Sequence, residues 1–125
     1  MDYYLIAKGT HVFTTSTITR LLTERWPGSL VEEVQNPRST HGLEFDLPIA
    51  GTRLRGSLNR KGNSLTFFGD MPECAEFVLW FRSAVPSAVP LFLCDENVSE
   101  GIDLTGSSTR DDVLRALKYT SLEER

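Results

Sequence analysis

Residues 70 to 119 constrain this chain most, because helix, strand, strand and helix can be read there with little competition between assignments. Asp70 followed by Glu73 makes an acidic variant of the capping box, in which side-chain oxygens satisfy amides left free at a helix start. Pro72 is tolerated in a first turn. Cys74, Phe77, Val78, Phe81 and Val85 recur at helical spacing, and Pro86 prevents continuation. Pro90 to Cys94 is an unbroken apolar run bounded by Asp95-Glu96-Asn97, the pattern of a strand buried on both faces. Gly101 to Thr105 reads as the returning strand, half buried. Ser108 or Thr109 caps a last helix, with Asp111 and Asp112 at the positive end of its dipole. Val113, Leu114 and Leu117 form its narrow apolar face, and residues 121 to 125 are expected to fray.

Two large residues of the first of these helices fall outside its apolar stripe. At 100° per residue from Cys74, Leu79 lies about 140° away and Trp80 about 120° away on the other side. Either the helix is buried over most of its circumference, or one of the two meets a partner, a use for which tryptophan is enriched.

Upstream, Tyr3 to Ala7 has the aromatic and β-branched content of a strand. Thr14 to Thr17 supplies candidate caps for a helix whose face is Ile18, Leu21, Leu22 and Trp26, ended by Pro27-Gly28. Leu30 to Val34 reads as a short strand and residues 35 to 42 as a polar loop. Leu43, Phe45, Leu47 and Ile49 then alternate with Glu44 and Asp46, and Pro48 points to an edge position or a strand end. After a turn at Ala50-Gly51, Leu54 and Leu58 resume the apolar face and Arg53 and Arg55 take the other. Paired as a hairpin, Glu44 and Asp46 would face Arg53 and Arg55, each pair contributing a few tenths to about 1 kcal/mol. Lys61-Gly62-Asn63 is a second turn signal, and Ser64 to Phe68 a further strand. The order is β-α-β-β-β-β-α-β-β-α, which predicts a single α+β domain over residues 1–125, with one antiparallel or mixed sheet and about three helices.

The 125 residues suffice for one core. The apolar run Phe77 to Phe81 is far below the roughly 20 residues of a membrane helix. No signal-peptide pattern follows Met1-Asp2-Tyr3-Tyr4, so a cytoplasmic location is expected. Charge is uneven: residues 1 to 62 hold eight Lys/Arg against six Asp/Glu, and residues 63 to 125 hold five against eleven. The acidic second half argues against phosphate binding and suits a basic protein partner or simply a solvated surface. Cys74 and Cys94 form neither a disulfide framework nor a zinc pattern, and both read as core-facing, inert thiols.

Catalytic chemistry finds little support. His11 and His41 lie in polar loop settings, and no nucleophile elbow surrounds any serine. Asp95, Glu96, Glu100 and Asp103 offer oxygens of the kind hard cations take, but their spacing matches no calcium loop. The basic strip Arg53, Arg55, Arg60 and Lys61 lacks the aromatic interleaving of a single-strand binder. The expectation is therefore a protein-binding module: no enzyme, no cofactor or metal, no nucleic acid and no membrane.

Trp80-Phe81-Arg82 on a helix, then Pro90 to Glu96, Leu104-Thr105 and Thr109 to Val113, resemble small bacterial immunity proteins of the polymorphic-toxin and contact-dependent growth inhibition type, over about residues 77 to 119. The resemblance implies a cytoplasmic protein, monomer or homodimer, that binds a cognate toxin domain and blocks its active site or substrate groove. Immunity proteins vary too widely for binding residues to be carried over. With a basic nuclease domain as partner, the acidic half nominates Glu73, Glu76, Trp80, Asp95, Glu96 and Asp103 as contacts. The alternative is a secretion chaperone of the type III kind, whose order of elements is similar and which would hold an effector segment on an apolar face. A third reading is a small metal-dependent hydrolase using Asp95, Glu96 and Asp103.

Overall fold

The alternating segment around residues 43 to 49 becomes the longest strand of a seven-stranded sheet that is antiparallel at every pairing. The computed structural model describes residues 2–49, 51–96 and 101–123, the last six of these by backbone alone. In chain order the elements are β1 (Tyr3–Ala7), α1 (Thr15–Arg25), β2 (Leu30–Glu33), β3 (His41–Ile49), β4 (Thr52–Asn59), β5 (Ser64–Phe68), α2 (Met71–Ala84), β6 (Leu91–Cys94), β7 (Ile102–Leu104) and α3 (Arg110–Glu123). This is the α+β order expected from the residues. Across the sheet the strands run β2-β3-β4-β5-β1-β6-β7. Four consecutive strands form a meander, and β1 is inserted between β5 and β6.

Side chains on a strand alternate between faces, so the register sorts the sheet into a covered side and an open one. Leu5, Leu43, Phe45, Leu47, Leu54, Leu58, Leu65, Phe67, Leu91 and Leu93 point one way and form one buried cluster with Ile18, Leu22, Cys74, Phe77, Phe81, Val113 and Leu117 of the three helices. All three helices therefore cover the same face. Phe77 is the hub: its ring centroid lies 5.1 to 6.2 Å from those of Phe67, Phe45, Trp80, Trp26 and Phe81. Each such aromatic pair adds about 0.5–1.5 kcal/mol beyond area burial, so α2 is tied to β3, β5 and the end of α1 through one side chain.

Leu79 and Trp80 are resolved in favour of burial. Both pack, partly buried, against the core, and Trp80 meets Trp26 edge-on at 4.7 Å. Pro48 lies in β3 beyond Asp46, the last residue that β2 reaches, so it sits at a strand end rather than in a central ladder. Cys94 corrects the expectation of a core-facing thiol. It is buried, at 3% exposure, but pairs with Tyr4 in a row on the sheet face opposite the core cluster.

The helix caps follow two different outcomes. Thr14 Oγ1 accepts from the Thr17 amide at 3.1 Å, starting α1, and the Thr109 and Asp112 side chains each accept from the other's amide at 3.1 and 2.9 Å, starting α3. At α2 the acidic capping box does not form: Asp70 is extended and makes no side-chain cap bond. At the far end of α2 the buried Arg82 guanidinium donates to the carbonyls of Val89 at 2.9 Å, Pro86 at 2.7 Å and Val85 at 3.3 Å. Burial lowers its pKa. It ties the residues that follow the helix, Val85 to Val89, into the turn that leads to β6.

Candidate functional site

Three helices on one side leave the other face of the sheet without a helical layer, and the register fixes what it displays. One row runs Glu32, Glu44, Ser57, Thr66, Tyr4, Cys94 from β2 to β6. The next runs Leu30, Asp46, Arg55, Phe68. Over β2 to β5 these two rows line an open groove of about 810 Å³, with Asp2 and His41 at its margins. Leu30 is 66% exposed and Phe68 44%, the large apolar residues this face offers to solvent there.

The hairpin of β3 and β4 pairs its charges differently from the expectation of two matched ion pairs. Asp46 stands opposite Arg55, Pro48 opposite Arg53, and Glu44 opposite Ser57. The Asp46 carboxylate takes both cations, Arg53 Nε at 2.7 Å and Arg55 Nε at 3.4 Å. Glu44 is left with Glu32 directly opposite it on β2, both exposed and, among the described residues, neither in an ion pair. Like charges in that relation destabilise a sheet. Farther along the row, Tyr4 has its phenol pKa raised by burial and by the nearby Asp2, Glu96 and Asp95 carboxylates, so it stays a neutral hydroxyl.

The six residues nominated as contacts do not form one patch. Glu73 is 6% exposed in the first turn of α2, and its Oε2 has no hydrogen-bond partner among the described residues. Glu76 pairs with Arg25 at 3.5 Å, and that guanidinium lies over the Trp26 ring, which in turn meets Trp80. Glu76 and Trp80 are therefore engaged in binding α2 to the end of α1. Asp95 is 2% exposed, whereas Glu96 beside it is exposed. Asp103 is on the helix-free face, bonded at 2.7 Å to Lys8, whose ammonium also lies 4.7 Å from the centre of the Phe92 ring.

The same placements bear on catalysis. Glu100 lies outside the described residues, and among the described residues no group of three His, Cys, Asp or Glu is placed to hold a metal ion. His11 is exposed against the Phe13 ring, and His41 opens β3. Burial raises the Cys74 pKa to about 12, with Glu73 and Asp70 adding to it, and burial raises that of Cys94 as well. Thiols held protonated in this way are poor nucleophiles.

The groove residues were not nominated from the sequence, although a signal was present. Phe68 is out of phase with Leu65 and Phe67, and Leu30 is out of phase with Val31, so strand alternation alone sends both to the face without a core. Among the described residues no helix is long and apolar enough to cross a membrane. No family model, no curated protein and no solved structure matches the chain.

Proposed function

We propose that this chain is a protein-binding module, and specifically an immunity protein that binds and neutralises a bacterial toxin domain through the helix-free face of its sheet. The observation that carries the binding role is the pair of exposed residues Leu30 and Phe68 at one open groove. Leu30 and Phe68 stand at the two ends of one row, with Asp46 and Arg55 between them, and exposed apolar side chains bordering a concave face with no covering layer suit an interaction surface. The toxin as partner rests on the resemblance over residues 77 to 119, and the unpaired Glu32 and Glu44 suit a basic one.

The test is growth protection. Cells expressing single polymorphic-toxin domains from a panel are grown with and without this chain. Rescue against a cognate domain is expected, and it is expected to be lost in Leu30→Asp/Phe68→Asp protein that keeps its native circular dichroism. Rescue that survives that double substitution would remove this face from the mechanism, and absence of rescue across the panel would remove the immunity reading. One observation favours a second reading, a secretion chaperone: the groove ends at the outermost strand β2, where an extended effector segment has room to lie. A stable dimer holding an unfolded segment would establish that reading instead.

A further inference from the structure

We infer that the free edge of β2 receives an extended segment of the partner carrying a lysine or arginine two residues from an apolar side chain, added as a further strand of the sheet. This deepens the protein-binding reading and rests on it.

β2 pairs with β3 alone and ends the strand order. Exposed edges are commonly blunted by shortness, by charged side chains (lysine above all), by proline or by a bulge; β2 is short and carries Glu32 and Glu33, which leaves it closed to acidic segments rather than to basic ones. Leu30-Val31-Glu32-Glu33 contains neither proline nor lysine, and its pairing with β3 runs without a register shift. Its side chains divide by face. Glu33 turns toward α1, where Thr15 Oγ1 donates to it at 2.9 Å. Leu30 and Glu32 turn to the open groove.

The charges around that edge identify what would lie on it. Glu32 and Glu44 face each other in register, and no cation of the described residues pairs with either. Arg53 and Arg55 are held by Asp46. Arg60, beside the end of β2, donates to the carbonyls of Val34, Asn36, Ser39 and His41. A strand laid along β2 projects every second side chain onto the groove face. One of these would stand opposite Glu32, with Glu44 one strand beyond within reach of a long side chain, and its neighbour two residues away would meet Leu30. A cation at the first position relieves the like-charge pair, and an apolar residue at the second covers exposed surface. A second copy of this chain is a poor occupant, because pairing β2 with itself gathers Glu32 and Glu44 of both copies along one seam.

The experiment uses the full chain, labelled with nitrogen-15, and two peptides in which Lys and Val alternate at every second position with Thr between, one carrying Glu in place of Lys. Expected results are amide shifts and slowed exchange centred on Leu30 to Glu33, with smaller shifts at Glu44 and Asp46 on the neighbouring β3. Affinity should fall about tenfold or more in Glu32→Gln/Glu44→Gln protein and with added salt, and the Glu peptide should not bind. Shifts centred elsewhere, indifference to the double substitution, equal binding of the Glu peptide, or a concentration-dependent dimer with β2 protected would each overturn the inference. The two readings fail separately. If Glu32→Gln/Glu44→Gln protein still rescues growth, the edge inference fails and the immunity reading stands. If the lysine peptide docks on β2 but no toxin is neutralised, the reverse holds.

Discussion

Replacing Gly56 by alanine should destabilise this protein, against the expectation from strand propensity. Glycine inside a strand is unfavourable in general, and Gly→Ala at a tolerant site stabilises by about 0.4–1 kcal/mol through the unfolded chain. Gly56 has no positive φ that alanine would resist. The obstacle is space. A Cβ there would lie 2.5 Å from Phe45 Cζ, 2.7 Å from Phe45 Cε1 and 2.5 Å from the Thr66 carbonyl oxygen. Ordinary contacts need about 3.5–4.0 Å, so the ring and the strand must each retreat by about 1 Å. Neither is free to do so: Phe45 is stacked on Phe77 at 5.9 Å, and Thr66 is held in register between Ser57 and Tyr4. Overpacking of this kind costs about 1–3 kcal/mol. After the unfolded-state gain, the net loss is about 1–2 kcal/mol, an appreciable part of the 5–15 kcal/mol typical of a domain. Urea unfolding followed by tryptophan fluorescence suits the measurement, since Trp26 and Trp80 both touch the Phe77 cluster. With an m-value of about 1–3 kcal/mol/M, the midpoint should drop by roughly 0.5–1 M. In a Phe45→Leu background the same substitution should cost measurably less, because the ring atoms are gone. An unchanged or higher midpoint for Gly56→Ala would refute the reasoning and leave propensity in charge.

Three further outcomes are expected. Glu44→Gln should raise stability by about 0.2–1 kcal/mol by removing the like-charge pair with Glu32, read as a higher urea midpoint, while lowering affinity for a basic partner. Arg82→Leu should cost about 2–3 kcal/mol by stripping donors from the carbonyls of Val85, Pro86 and Val89; Arg82→Lys should recover only part, since a point charge does not span that fork. Stability should fall in alkaline solution: Cys74 titrates near 9.0 when unfolded and near 12 when buried, so between those values the unfolded chain binds fewer protons. That thiol contributes a slope of up to about 1.4 kcal/mol per pH unit. Cys74→Ala should flatten the alkaline limb in urea titrations at stepped pH.

The order of elements was legible because each carries its own period. Leu43, Phe45, Leu47 and Ile49 alternate without exception, and Cys74, Phe77, Val78 and Phe81 keep helical spacing. What the residues do not encode locally is adjacency. Whether Asp46 or Glu44 binds the two arginines depends on a register set by the whole hairpin, and that register left Glu44 across from Glu32. Glu73 and Asp95 read as surface carboxylates because charged residues usually are, yet both are buried. Leu79 and Trp80 lacked an evident core because their cover comes from elsewhere, in the case of Trp80 from Trp26, some fifty positions earlier. The open groove needed the fold as well: alternation sends Leu30 and Phe68 outward, but only the placement of all three helices on the other side leaves them there.

The insertion of β1 between β5 and β6 orders events in time as well as in space. Both of its ladders are made with strands that follow it by more than fifty residues. On a ribosome adding roughly 5–20 residues per second, Tyr3 to Ala7 therefore emerge several seconds before their neighbours exist. The meander β2 to β5 closes by near-neighbour pairings meanwhile, but β6 and β7 cannot join it except through β1. The first of the seven strands to be made is thus a keystone, idle until both flanks are in place, and until then Leu5 and the floor beneath α3 face water. Cold-sensitive or aggregation-prone variants of this chain should concentrate there, in a segment that looks peripheral when the sequence is read from its beginning.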